Sequence, residues 1–308
     1  MFSSGVVFTY LLRLYKEPFF KNPRVKKGLI RFITLVTIGY LLRYPTYTFF
    51  NFRFVTEHQW KIFFMVDALH LIGFGLLFIL ILSFIAEKIK LNDYFIFGAA
   101  ALFFFVLQPI TESINWTHHL PLPFASYLYH GTGSFFPFFP WAGYVLSGAI
   151  LGSFLSNHST SFNSKKFCIS LISIGIALII VSYVFEYIKN MIYFGDSNWL
   201  RNFNLVSLRT GYVVLLNGIM ALIAMNVKHI PNIIKQTGKY TLPIYVVHVI
   251  ILYGSAWVPG LNLFFSRSMD LTFSILAAII MIITMVAMAG FIDKFKSNKK
   301  NNTVNVMN

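Results

Sequence analysis

Charge is scarce in this chain of 308 residues: Asp, Glu, Lys and Arg together make up 11% of it, against about 25% in an ordinary soluble domain. A folded surface so poor in charge is not built for water, and the soluble enzyme classes fall away with it. Acid is scarcer still, 10 residues against 25 Lys and Arg, for a formal net charge of +15. Cysteine occurs once, at Cys168, which excludes both a disulfide framework and a cysteine metal site. Neither a Walker loop nor a GxGxxG motif is present, so nucleotide-driven pumping has no phosphate cradle. What fills the chain instead is apolar: 57% hydrophobic residues and a mean hydropathy of +0.69.

The apolar residues come in runs of bilayer length. A helix needs about 20 of them to cross the hydrocarbon, and the runs at 28–44, 63–86, 94–110, 138–155, 167–188, 205–227, 240–258 and 271–292 meet or approach that length. The expected fold is all-α, a polytopic transmembrane bundle of about eight full spans forming one domain over 1–293. Upstream, Phe2 to Leu12 is apolar and helix-like but only about half a crossing long. It lacks the basic start and the small-residue cleavage site of a signal peptide, and reads as the second half of a helix whose first part is missing. The polar segment 294–308 reads as a disordered basic cytoplasmic tail.

Basic residues between the runs alternate. One set of gaps holds Arg13, Lys16, Lys21, Arg24, Lys26 and Lys27, then Lys88 and Lys90, then Lys165 and Lys166, then Lys228, Lys235 and Lys239, then Lys294, Lys296, Lys299 and Lys300. The other set has only Arg43, Arg53, Lys61, Lys189, Arg201 and Arg267. Positive charge marks the cytoplasmic side, which places the C-terminus there. The same pattern disposes of nucleic acid as a partner, because the basic residues meet lipid headgroups rather than forming one basic face of a soluble fold.

Ionisable side chains near bilayer depth are costly, about 2.5–3.5 kcal/mol each on insertion scales, and so they mark polar cavities. Asp67 and His70, three apart, share one helical face. Arg209 lies in the outer part of its run, and His248 near the middle of its own, where an imidazole with a held tautomer can take a proton from a hydroxyl or amine. The bland readings stand beside these: Arg31 and Arg43 snorkelling to phosphates, Asp67 and His70 an interfacial pair, His248 a structural hydrogen bond. The longest outer loop, 111–137, carries Glu112, Trp116, His118, His119 and His130 and runs into Trp141; it reads either as a substrate-binding element or as an interfacial aromatic belt. Adjacent His118 and His119 do not share a helical face, so no metal is expected there. Asn115-Trp-Thr117 is a glycosylation-type triplet of low specificity.

Several of these residues sit in segments that, in order, resemble the heparan-α-glucosaminide N-acetyltransferase family and its bacterial members. They are Phe2-Ser-Ser-Gly-Val-Val-Phe8, Arg31-Phe-Ile-Thr-Leu-Val-Thr-Ile-Gly-Tyr40, Val66-Asp-Ala-Leu-His-Leu-Ile-Gly73, Phe139-Pro-Trp-Ala-Gly-Tyr-Val-Leu-Ser-Gly148 and Gly238-Lys-Tyr-Thr-Leu-Pro-Ile-Tyr-Val-Val-His248. The resemblance covers nearly the whole chain. It implies a multi-pass acyltransferase of the plasma (bacterial inner) membrane that carries an acetyl group from cytoplasmic acetyl-CoA, as co-substrate, to an extracytoplasmic glycan or glycolipid. On that reading Arg24, Lys26, Lys27 and Arg31 hold CoA phosphates; Trp116, His118, His119, Trp141 and Arg209 meet the acceptor; and His248, with Asp67 and His70, handles the proton. His70 and Leu71 stand where the eukaryotic enzyme has Gln and Arg, which favours a bacterial polysaccharide or glycolipid acceptor over heparan sulfate. The family's upstream helix with its Arg/Asp-rich motif has no counterpart in the sequence, so the resemblance also implies a truncated member without activity as an alternative. A transporter or lipid-handling protein is the other, and self-association into a homo-oligomer stays open.

Overall fold

The fold comes from a computed structural model that describes residues 1–158, 160–161, 164–192, 198–227, 229–265 and 270–305; its side-chain description leaves out 190, 192, 198 and 297–305. Lys228 and Arg267 of the charge pattern lie outside the described residues, as do the side chains of Lys299 and Lys300. The described residues form helices and turns, and the chain divides into two compact units, Met1–Tyr40 with Thr56–Asn226, and Leu41–Val55 with Val227–Asn308.

The first unit holds α1 (Phe2–Arg13), α2 (Pro23–Leu42), the short α3 (Glu57–Phe64), α4 (Ala68–Ile89), α5 (Asp93–Ser113), the single turn α6 (Leu122–Ala125), α7 (Phe138–Asn157), α8 (Lys165–Ile192) and α9 (Asn198–Asn226). Three of its helices, α3, α4 and α5, begin where the sequence supplies a side-chain acceptor for the orphan N–H groups of a first turn. The Asn92 side chain accepts from Tyr94 N–H ahead of α5, and Thr56 and Gln59 close a reciprocal capping box on α3. The tightest packing is between α1 and α7. A Cβ on Gly148 would lie 2.1 Å from the Phe2 carbonyl oxygen, and one on Gly152 would lie 2.3 Å from that of Val6. This GxxxG stripe lets two backbones touch in a setting where apolar side chains gain nothing by leaving lipid.

Side-chain bonds on one side and backbone bonds on the other tie the helix ends of this unit together. On the Lys-rich side, Arg13 Nη2 meets Asp93 Oδ1 at 2.5 Å, Ser153 Oγ donates to Asp93 Oδ2 at 2.9 Å and Phe19 N–H donates to Glu87. The opposite side is closed by the loop between α5 and α7. There Phe135 and Phe136 N–H donate to the Val66 carbonyl, and Phe138 N–H to that of Tyr127. The long outer loop is therefore laced to the start of α4 through its own backbone donors.

The second unit holds α10 (Asn232–Lys239), α11 (Thr241–Tyr253), the single turn α12 (Asn262–Phe265) and α13 (Leu271–Asn305). Around its end the chain 41–55 brings Tyr44 onto Trp257, rings 5.8 Å apart and nearly parallel, while Trp257 Nε1 donates to the Tyr47 carbonyl. Helix α13 continues through Lys294, where the polar tail was expected to begin, to Asn305.

The all-α membrane architecture matches the expectation, with a span count of about six to eight. Among the described residues six helices are long and apolar enough to cross a membrane: Ala68–Ile89, Asp93–Ser113, Phe138–Asn157, Lys165–Lys189, Trp199–Asn226 and Leu271–Lys296. The expected span at 28–44 is helical as part of α2, 20 residues long, but Arg24, Lys26, Lys27 and Arg31 give it a charged half. The one at 240–258 is helical only through α11, whose 13 residues reach about 20 Å at 1.5 Å per residue, short of a roughly 30 Å core. Gly254, at φ +79°, ends it. The run at 63–86 breaks because Asp67 caps a new helix, leaving α3 separate. Large apolar side chains such as Ile169, Ile180, Leu216, Ile279 and Ile283 lie exposed, as helices facing lipid require.

Candidate acyl-transfer site

Asp67 and His70 come together as expected, and the capping logic of α4 is the reason. The Asp67 carboxylate accepts from the backbone N–H groups of Leu69 and His70, and His70 Nδ1 lies 2.9 Å from Asp67 Oδ1. That carboxylate bond is better made than the 3.4 Å alternative with Asp67 N–H, so Nδ1 carries the proton and Nε2 is left as the acceptor. The ring is fully buried, at 0% exposure, and Nε2 has no partner. Gly39 makes the room: a Cβ there would stand 2.5 Å from the imidazole. Tyr40 packs edge-on to His70 with ring centres 4.4 Å apart, and its hydroxyl meets that of Tyr127 at 2.8 Å. Burial, then the hydrogen bond that its hydroxyl donates to Tyr40, raises the Tyr127 phenol well above its ordinary value of 10.0.

The basic residues of α2 meet at a cavity of about 120 Å³ between α1, α2 and α4, lined by Arg24, Lys27 and Arg31 with Ser4, Phe8 and Ile72. Their spacing, three and then four residues, puts all three cations on one face. Lys26 is not part of this lining. Arg24 spreads over the Tyr15 ring, 5.8 Å from its centre, with its Nε buried and unpartnered.

A second cavity of about 370 Å³ opens at the other end of the unit, among α5, α7, α9 and the loop before α7. This is within the roughly 300–1,000 Å³ of small-molecule pockets; the basic one is below it. Glu112, from the last turn of α5, and His130 line it together. His130 Nδ1 is 3.0 Å from Glu112 Oε2, and the His130 backbone N–H donates to the same carboxylate. Both remain open to the cavity, 40% and 33% exposed. Trp141 and Arg209, both expected at the acceptor, line it as well, with the guanidinium 5.0 Å above the indole. Trp141 Nε1 is buried without an acceptor. Arg201, beside Glu112, and Asn202, whose amide donates to the Phe105 carbonyl, complete the wall.

Three expected acceptor residues are elsewhere. His118 and His119 are exposed in the loop and are not part of the cavity wall, while Trp116 spends its indole N–H on the Thr111 carbonyl at 2.8 Å. His248 belongs to the second unit; its Nδ1 lies 3.0 Å from the Ile244 carbonyl one turn back, beside Tyr245, so Nε2 is its free face. The Glu112–His130 pair is not legible in the sequence as a unit. Both residues are visible in one loop, but 18 positions apart they have no periodic relation to betray the contact. Among the described residues no cluster of three or more His, Cys, Asp or Glu could hold a metal ion.

Residues 1–186 match the family model described as heparan-alpha-glucosaminide N-acetyltransferase, catalytic. The chain belongs to this family. The heparan-alpha-glucosaminide N-acetyltransferase family is a family of acetyltransferases, which supports a transferase at a membrane. The matched region contains the basic cavity, the Asp67–His70 pair and the Glu112–His130 pair. Arg201, Asn202, Arg209 and His248 lie beyond it. No curated protein and no solved structure matches the chain.

Proposed function

We propose that this family member transfers an acetyl group from acetyl-CoA, taken up on the Lys-rich cytoplasmic side of the plasma membrane, to a sugar of an extracytoplasmic glycan or glycolipid. The observation that carries the reading is the carboxylate-held imidazole of His130 facing a cavity with an unspent indole donor. Glu112 fixes Nδ1, so Nε2 takes the proton of the acceptor hydroxyl or amine as that atom attacks the thioester carbonyl. The carbon–sulfur bond breaks, CoA leaves as thiolate, and the proton on His130 returns to solvent. Trp141 offers a stacking face and an N–H to the sugar, and Arg209 holds the indole.

At the other end Arg24, Lys27 and Arg31, with Lys26 nearby, bind the CoA phosphates. The buried, unpartnered Arg24 Nε fits an anionic guest, and the 120 Å³ cavity seats only part of the donor. The sealed Asp67–His70 pair, with Ile72 of the basic cavity two residues along α4, positions the donor end, and His248 stands as the competing base.

Full-length protein in sealed vesicles with labelled acetyl-CoA tests this. Label is expected in a cell-envelope glycan fraction, and His130→Ala is expected to reduce it by roughly 10²–10⁴, the contribution of a positioned base. Transfer that survives His130→Ala but is lost in His248→Ala moves the base to the second unit. Sugar flux independent of CoA, with no label transferred, favours a transporter.

A further inference from the structure

The second unit contains an amphiphile-shaped groove between α10 and α13 that acyl transfer does not use. Its polar part, about 320 Å³, is lined by Asn232, Lys235, Gln236, Lys239 and Asp293. Its apolar part, about 520 Å³, runs along Ile282, Ile283, Val286, Ala287 and Gly290 of α13, with Ile233 of α10. Gln236 belongs to both walls, and its Oε1 is 3.7 Å from where a Cβ on Gly290 would be, so the two parts meet there. Small side chains at Ala287 and Gly290 keep that junction open.

The charge of the polar part is fixed by its own bonds. Asp293 is the carboxylate there, and it is shared among Lys239 at 2.8 Å, Tyr240 at 2.9 Å and Gln236 at 3.1 Å. The bond to Asp293 raises the Lys239 pKa, so its ammonium persists at physiological pH. Among the described residues Lys235 has no carboxylate, and Lys296 adds a third ammonium above the Tyr240 ring. One carboxylate against three ammonium groups leaves a net positive seat. From Gly290 to Ile282 the apolar wall extends about 12 Å at 1.5 Å per residue, the reach of a good part of one lipid tail. The lysines lie at the Lys-rich end of the chain's charge alternation, the side on which anionic lipid is found.

We propose that this groove seats one anionic phospholipid, its phosphodiester on Lys235 and Lys239 and one acyl chain along Ile282, Ile283, Val286 and Gly290. A free phosphate would satisfy the lysines and leave the apolar wall without purpose. A zwitterionic lipid would fill the wall and bring no net charge to the seat.

Native mass spectrometry of the full chain, released from micelles containing equal phosphatidylglycerol and phosphatidylcholine, reads the site directly. One phosphatidylglycerol retained per chain is expected. Lys235→Gln and Lys239→Gln are each expected to cost roughly fivefold in retention, the worth of one basic residue at an anionic surface. Ala287→Phe or Gly290→Leu, which fill the groove without touching charge, is expected to remove the lipid, whereas Lys61→Gln in the first unit leaves it bound. Equal retention of phosphatidylcholine by the unaltered chain overturns the proposal. So does full retention in both groove-filling variants, or displacement of the lipid by glycerol phosphate at matched concentration.

Discussion

His70 owes its place to a missing side chain: α2 carries Gly39 where any Cβ would collide with the imidazole at 2.5 Å. Gly39→Ala must therefore push the ring off the Asp67 carboxylate or push α2 off α4. A loss of about 1–3 kcal/mol, the ordinary cost of overpacking a core, is expected in thermal unfolding in detergent; an unchanged melting temperature would mean that the ring is not held there. Tyr127 gives a pH signature. Its phenol is raised by burial above the ordinary 10.0, so folding favours the neutral form. That stability is complete below about pH 10 and drains away as pH rises beyond it, because the unfolded chain ionises first. Tyr127→Phe should flatten this alkaline loss relative to the unaltered chain in melting curves taken from about pH 8 to 11; parallel curves would count against the buried phenol. Asp67 with His70 was legible in the sequence as a pair three residues apart, although what joins them is an extended N-cap facing the third residue of α4 rather than a shared helical face. Glu112 with His130 was not, since the loop's path decides that pair.

Helix packing depends on the same economy of side chains. Gly148 and Gly152 lie on α7 with the α1 backbone against them, and a branched residue at either has nowhere to go. Gly148→Leu is expected to detach α1 while leaving α8 and α9 paired, which limited proteolysis near Lys16 would report as faster cleavage. If cleavage is unchanged, α1 is held by Arg13 on Asp93 rather than by the stripe. Element boundaries were misread where a capping residue interrupts an apolar run. Asp67 starts α4 inside the stretch 63–86, and Gly254 stops α11 inside 240–258. Hydropathy windows average over single residues, and these two act by hydrogen bonding and by backbone sign, to which such windows are blind.

On the scale of the whole molecule, bonds between helix ends follow the charge alternation. Arg13, Asp93 and Ser153 meet at the Lys-rich end, and Glu112, His130 and Arg201 at the other. In sealed vesicles made from a Cys168→Ala background, His119→Cys and Lys90→Cys, both exposed in the first unit, should react with an impermeant maleimide from opposite sides; labelling of both from one side would contradict the up-and-down course. The sequence by itself determined the solvent, the helical class and the family likeness, because each is a sum over many residues: apolar length, helix-length runs, ordered segments. Only the tertiary structure decided which imidazole faces a cavity. His70, His130 and His248 are the same side chain with the same intrinsic chemistry, and what separates them is packing. Tyrosines and a glycine seal the first, a carboxylate 18 positions away holds the second at an open wall, and its own helix carbonyl holds the third.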